Sequence, residues 1–118
     1  MCVMRELMGV LKAVADKNRM RILKMLEKKS MCVCELAAVL KIKQPSVSKH
    51  LSILKNAGLI QDVRNGQWID YSLCTEKVNK YTPVIQSAIK NWLNDDAVIK
   101  GDLQKTKTLC RKDLCKKE

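Results

Sequence analysis

The chain has no phenylalanine, and aromatics make up only 3% of its 118 residues. A core without large rings must be built from Leu, Ile, Val, Met and Ala, which suits helices better than a β-sandwich. Histidine is scarce too, with His50 as the single example. Long apolar runs are missing: no stretch reaches the ~18 uncharged apolar residues that a transmembrane helix needs. Near the N-terminus, Arg5, Glu6 and Lys12 interrupt any signal-peptide apolar region. The expectation is a cytoplasmic protein with no membrane span. Acidic residues are the scarcer charge, at 12 Asp plus Glu against 23 Lys plus Arg, for a formal net charge of +11. Such an excess favours a polyanionic partner, and on charge alone nucleic acid and an anionic membrane surface both qualify.

Cysteine is not scarce. Six are present, and cytosolic thiols stay reduced. That combination suggests metal or redox chemistry rather than a disulfide framework. Hydrophobic residues make up 47% of the chain, and the length suits one domain rather than two.

Leu7, Val10, Leu11 and Val14 recur at helical spacing and predict a first helix over about Val3 to Ala15. Asp16 is a candidate cap for a second helix, with Ile22, Leu23 and Leu26 facing inward. Ser30 is the candidate N-cap of a third, with Leu36, Val39 and Leu40 as its buried stripe. After the tight connector Lys41-Ile42-Lys43, a fourth helix opens at Gln44-Pro45 and stops at Gly58. Val47, Leu51 and Leu54 form its inner face. The period then changes. Two extended segments, Leu59 to Arg64 and Gln67 to Leu73, flank Asn65-Gly66, which reads as a hairpin with a type I′ turn. Thr82-Pro83 opens a last helix that carries Val84, Ile85, Ala88, Ile89, Trp92 and Leu93. Residues 1–98 thus form one domain, and 99–118 read as a mobile tail rich in Lys and Cys. The fold class is mainly α with a small β-hairpin. Two short helices joined by a tight turn and followed by a hairpin describe a winged helix-turn-helix.

With Val47, Leu51 and Leu54 inward, Gln44, Ser46, Ser48 and Lys49 fall on or near the outer face of the fourth helix. Short polar groups and a cation near a helix start can reach base edges or phosphates in the major groove of double-stranded DNA. His50 is a further candidate, and the plainer reading makes it a half-buried residue bonded within the fold. Arg64 and Gln67 at the hairpin tip are candidate backbone contacts, against the plainer reading of Arg64 as a solvated strand residue. The end helices carry more apolar surface than one small domain needs to cover. A homodimer through them would present two recognition helices to a palindromic site.

Cys32-Val33-Cys34 lies just upstream of the recognition helix. Residues two apart on a regular helix do not face the same way, so one soft ion could bind both thiolates only where the backbone is or becomes irregular. Metal binding would then strain the helix-turn-helix. C-x-C alone is a weak signal, because Cys often serves as a small buried hydrophobe.

The sequence resembles the ArsR/SmtB family of metal-sensing transcription factors. The resemblance rests on Val14-Ala15-Asp16-Lys17-Asn18-Arg19-Met20-Arg21-Ile22-Leu23, Cys32-Val33-Cys34-Glu35-Leu36, Gln44-Pro45-Ser46-Val47-Ser48-Lys49-His50-Leu51, Gly58-Leu59-Ile60 and Gly66-Gln67-Trp68-Ile69-Asp70-Tyr71. The resemblance implies a homodimeric winged-helix repressor that leaves its operator when a metal ion binds. It places the Cys-Val-Cys box with the arsenite, antimonite and cadmium or lead sensors. In arsenic repressors of this type a third Cys follows three residues after the second, and here that position is Ala37. Arsenite and antimonite favour three thiolates, so either the site is incomplete or the third comes from elsewhere: Cys2, Cys110 or Cys115, with Cys74 the weakest candidate. The family's other metal site uses His and carboxylates on the last helix. Residues 83–93 contain none of these, which argues against zinc or nickel of that type.

The leading expectation is a repressor released by arsenite or antimonite. Alternatives within the fold are a cadmium or lead sensor and a thiol-redox switch. A metal-sequestering protein with an incidental basic surface is the alternative from another class. No His-Cys pair or oxyanion device speaks for an enzyme.

Overall fold

The computed structural model describes residues 3–76 and 79–109. The elements are α1 (Val3–Val14), α2 (Lys17–Leu26), α3 (Val33–Leu40), α4 (Gln44–Asn56), β1 (Ile60–Asn65), β2 (Trp68–Leu73), α5 (Thr82–Asn91) and α6 (Ala97–Thr106). This is a winged helix-turn-helix, as the periodicity predicts.

The core follows the apolar stripes. Ile22, Leu23, Met25 and Leu26 of α2 meet Leu36, Val39 and Leu40 of α3 and Val47, Leu51 and Leu54 of α4, all buried. Asp16 caps α2, its Oδ2 accepting from the Arg19 backbone N–H at 3.0 Å. The turn between α3 and α4 pivots on Lys41, a left-handed residue at φ 59°. At the far end of α4, the Leu59 N–H donates to Leu54 O (3.1 Å) and the Gly58 N–H to Lys55 O (3.0 Å). Gly58, at φ 84°, closes this Schellman ending without a side-chain clash.

The wing forms where expected, with a different turn. Asn65 pairs with Trp68, so Gly66 and Gln67 are the two turn residues. Of the two, Gly66 alone has positive φ (67°). Glycine first with a negative-φ partner marks a type II′ turn, not the I′ turn that Asn-Gly suggests. A third extended segment joins this sheet. Met31 donates to Tyr71 O at 3.0 Å and accepts from Tyr71 N at 2.8 Å. This bridge keeps residue 31 extended, which moves the N-cap of α3 from the expected Ser30 to Cys32.

The C-terminal part differs more. The last predicted helix ends at Asn91, so Trp92 and Leu93 leave the helical face and are exposed. Leu93 takes φ 63°, and the chain turns into α6. Residues expected to begin a mobile tail at 99 instead form most of this helix, which packs on α2 and α3. Its buried residues, Ile99, Asp102 and Thr106, recur at helical spacing, but two of the three are polar. Asp102 takes a two-pronged bond from Arg21, Nε to Oδ2 and Nη2 to Oδ1, both at 2.8 Å. Lys24, 1% exposed, donates to Ile89 O (2.9 Å) and Asn94 Oδ1 (3.0 Å) and pairs with Glu27 (3.0 Å). Its burial is tolerable because its ammonium finds these partners. No helix among the described residues is long and apolar enough to cross a membrane.

Candidate nucleic-acid interface and thiol site

Burying Val47, Leu51 and Leu54 turns the rest of α4 outward. Gln44, Ser46, Ser48 and Lys49 are all exposed. Lys43, the N-cap, gives the first turn no side-chain hydrogen bond, and Pro45 sits in that turn where its missing N–H costs nothing. Arg64 and Gln67 are exposed at the wing. Lys55 near the end of α4 pairs with Asp62 of β1 at 3.0 Å, joining recognition helix and wing. Such an exposed pair adds little stability and serves mainly to orient.

His50 stands apart from the other candidates. It is half-buried, with Nδ1 3.3 Å from Arg19 Nη1 and 3.9 Å from Asp16 Oδ2. Arg19 also donates through Nε to Ala13 O (2.7 Å) and through Nη2 to Lys12 O (3.1 Å). One guanidinium thus ties the end of α1, the start of α2 and the middle of α4. The Asp16 carboxyl is held below its ordinary value of 3.8, chiefly by the Arg19 backbone N–H, which with the charges of Arg19 and His50 outweighs the opposing effect of burial. Sequence reasoning did not single out Arg19 as a positioning group. An arginine three residues after a helix cap, with a carbonyl-rich helix end just upstream, was the available signal.

The thiols sit in and around the first turn of α3. Cys32 is the N-cap and 3% exposed. It closes a capping box: its backbone N–H donates to Glu35 Oε1 at 2.9 Å, and its side chain faces the N3 backbone. The usual Ser or Thr of such a box is here a thiol. Cys34, two residues on, is half-buried, and its sulfur accepts a hydrogen bond from Gln44 Nε2 at 3.4 Å. Of the pair, one thiol caps the helix while the other meets α4. An ion bound by both would have to draw the two sulfurs from these different settings. Ala37 is half-buried and packs against the core. Cys74 lies beyond β2, with its Sγ donating to Glu76 O at 3.6 Å. Among the described residues no group of three or more His, Cys, Asp or Glu could hold a metal ion. Cys2, Cys110 and Cys115 lie outside the described residues.

The turn that carries the thiols is therefore flanked by both the wing and α4. Met31, adjacent to Cys32, is paired with β2 of the wing, and Cys34 touches the first residue of α4.

Comparison with known proteins agrees with this geometry. The family described as bacterial regulatory protein, arsR family, matches residues 16–62. The arsenic resistance transcriptional regulator ArsR1 of Pseudomonas putida is 36% identical over 102 residues, covering 80% of each chain. The transcriptional repressor SdpR of Bacillus subtilis is 41% identical over 94 residues, covering 80% of this chain and 94% of that one. Among solved structures, a homodimeric winged helix-turn-helix DNA-binding domain from Mycobacterium bovis superposes with a TM-score of 0.62 at 24% identity, covering 80% of this chain and 88% of that one. A buried helix-turn-helix frame, a polar outer face on α4 and relatives aligned along most of their length lead to one conclusion: the chain belongs to the arsR family of bacterial regulatory proteins and is a DNA-binding regulator of transcription, not an enzyme.

Proposed function

We propose that this protein is a homodimeric repressor that reads a palindromic operator with Gln44, Ser46, Ser48 and Lys49 of α4, steadied by Arg64 and Gln67 of the wing, and that trivalent arsenic or antimony releases it by binding Cys32 and Cys34. The observation that carries this reading is the position of the thiol turn between wing and recognition helix. Binding arsenite exchanges its hydroxides for thiolates, and each thiol proton leaves with a hydroxide as water. Drawing the Cys32 and Cys34 sulfurs onto one ion removes Cys32 from the capping box and pulls Cys34 from Gln44. Both changes alter how α4 is presented. The third thiolate comes from Cys2, Cys110 or Cys115. His50, tied to Arg19, contributes by holding α4 in place.

The dimer reading draws on exposed apolar side chains of α1 and α5. Met4, Met8 and Leu11 of α1 are 71%, 44% and 38% exposed, and Val84 of α5 is 66% exposed. Met4, Met8 and Leu11, spaced four and three apart, share one face. A two-fold axis through these helices would cover them.

A gel-shift with DNA upstream of the gene, with and without arsenite, tests the proposal. The expected result is binding without arsenite and release with it. Cys32→Ser and Cys34→Ser are expected to bind DNA and to ignore arsenite. Absence of binding at moderate salt overturns the repressor reading. Binding that arsenite leaves untouched overturns the inducer, and cadmium, lead and a dithiol-reductant control then identify which alternative thiol chemistry applies.

A further inference from the structure

We propose that Gln44 is a positioning residue that couples the thiol turn to the recognition helix, held on the Cys34 sulfur in the DNA-binding state and let go when that sulfur is ligated. The inference deepens the function proposed above and depends on it for the identity of the ligand. It starts from one contact, Gln44 Nε2 to Cys34 Sγ at 3.4 Å, across the turn of the helix-turn-helix. Gln44 is exposed and is the first residue of α4. Glutamine is among the side chains that lose most rotamer freedom when fixed. An anchor that fixes it beforehand spares DNA binding that loss.

The chemistry of the carboxamide allows both tasks at once. Its NH2 group has two hydrogens, and its oxygen accepts. One N–H on the sulfur leaves the other N–H and the oxygen. That remaining pair is what a glutamine needs to grip the N7 and N6 positions of an adenine in the major groove. The anchor therefore does not consume the reading edge.

Ligation removes the anchor by moving the sulfur. Cys32 is buried at the N-cap while the Cys34 sulfur meets Gln44, so an ion held by both draws Cys34 away from α4. Gln44 then returns to many rotamers while α4 itself remains folded around Val47, Leu51 and Leu54. The loss falls on base recognition rather than on phosphate attraction, since glutamine carries no charge.

A double-mutant cycle on the arsenite-free protein decides the point, read as operator affinity for the wild type, Cys34→Ala, Gln44→Ala and the double variant. Cys34→Ala is expected to weaken operator binding roughly two- to fivefold when Gln44 is present, the lower part of the range for residues in contact. It is expected to have no effect in the Gln44→Ala background. Cys34→Ser, whose hydroxyl can accept the bond, should restore most of the affinity. The dependence of affinity on salt should not change, and the side-chain amide resonance of Gln44 should shift in Cys34→Ala. An equal effect of Cys34→Ala in both backgrounds, or none in either, overturns the coupling. With arsenite, Gln44→Ala should be released by a smaller fold-change than the wild type; an equal fold-change overturns the coupling too. If arsenite fails to release the wild type, the inducer assignment falls, and the arsenite-free cycle still decides the role of Gln44.

Discussion

α4 and α6 both pack on α2, and they are held by different forces. α4 docks through Val47, Leu51 and Leu54, each at most 1% exposed. α6 docks through Ile99 together with the Arg21–Asp102 fork and a bond from Lys29 Nζ to Thr106 O at 3.2 Å. Apolar burial is non-directional and leaves Ser46, Ser48 and Lys49 exposed on the outer side of α4, the face proposed to read bases. The α6 contacts are directional, because they depend on hydrogen-bond geometry. The difference separates the helix proposed to read DNA from one that closes the domain.

Breaking the apolar dock should cost most. Leu51→Ala removes a fully buried side chain between α2, α3 and α4, and the expected loss is about 3 kcal/mol of unfolding free energy. Urea titration at fixed protein concentration measures it, since a dimer's stability depends on that concentration. Operator binding should fall with it. Breaking the polar dock should cost somewhat less. Asp102→Ala strands the Arg21 guanidinium, whose side chain is 16% exposed against 3% for Asp102. Breaking a fully buried pair costs more than this half-solvated one should, and about 2 kcal/mol is expected here. Operator affinity of the folded protein should remain close to wild type, because α4 is untouched. A large drop in affinity with intact folding would show that α6 does more than close the domain.

The same contrast governs what could be read in the sequence. Stripes such as Leu36-Val39-Leu40 and Val47-Leu51-Leu54 are apolar at a helical period, and that period is visible without coordinates. The outer face of α4 followed by subtraction. The α6 stripe was invisible to the same reasoning because Asp102 and Thr106 occupy buried positions, and only partners distant in sequence make them fit. Its one legible signal was Asp96, which caps the helix by accepting from the Val98 and Ile99 N–H groups at 2.9 and 3.2 Å. The thiol box was legible as a pair. Its setting was not, because the Met31–Tyr71 bridge and the Cys34–Gln44 contact each join segments that meet only in three dimensions. The wing turn failed for a smaller reason. Asn65-Gly66 suggested the turn type, but pairing of Asn65 with Trp68 moved the turn by one residue.

The smallest expected effect concerns Asp16, which acts on the α4 side of the comparison alone. It caps α2 and stands beside Arg19 and His50, which reach α1 and α4. Removing an N-cap carboxylate typically costs about 1 kcal/mol, and that is the expectation for Asp16→Ala near neutral pH. The sign with pH follows from the direction of its shift. Its carboxyl is held below the ordinary 3.8 by the Arg19 backbone N–H and by neighbouring positive charge. A carboxyl whose value is depressed on folding stabilises the fold when charged. That contribution is fully present above 3.8 and disappears as the pH falls through the lower folded value. The stability gap between wild type and Asp16→Ala should therefore narrow below pH 4. Asp16→Asn separates the cap from the charge, because Asn is an equally good N-cap residue and cannot titrate. It should retain most of the stability at neutral pH without the acid-dependent decline that this carboxyl contributes. Urea titrations across pH measure both variants. A gap for Asp16→Ala that persists unchanged in acid would mean that the backbone cap, not the charge facing Arg19 and His50, holds the start of α2 against α4.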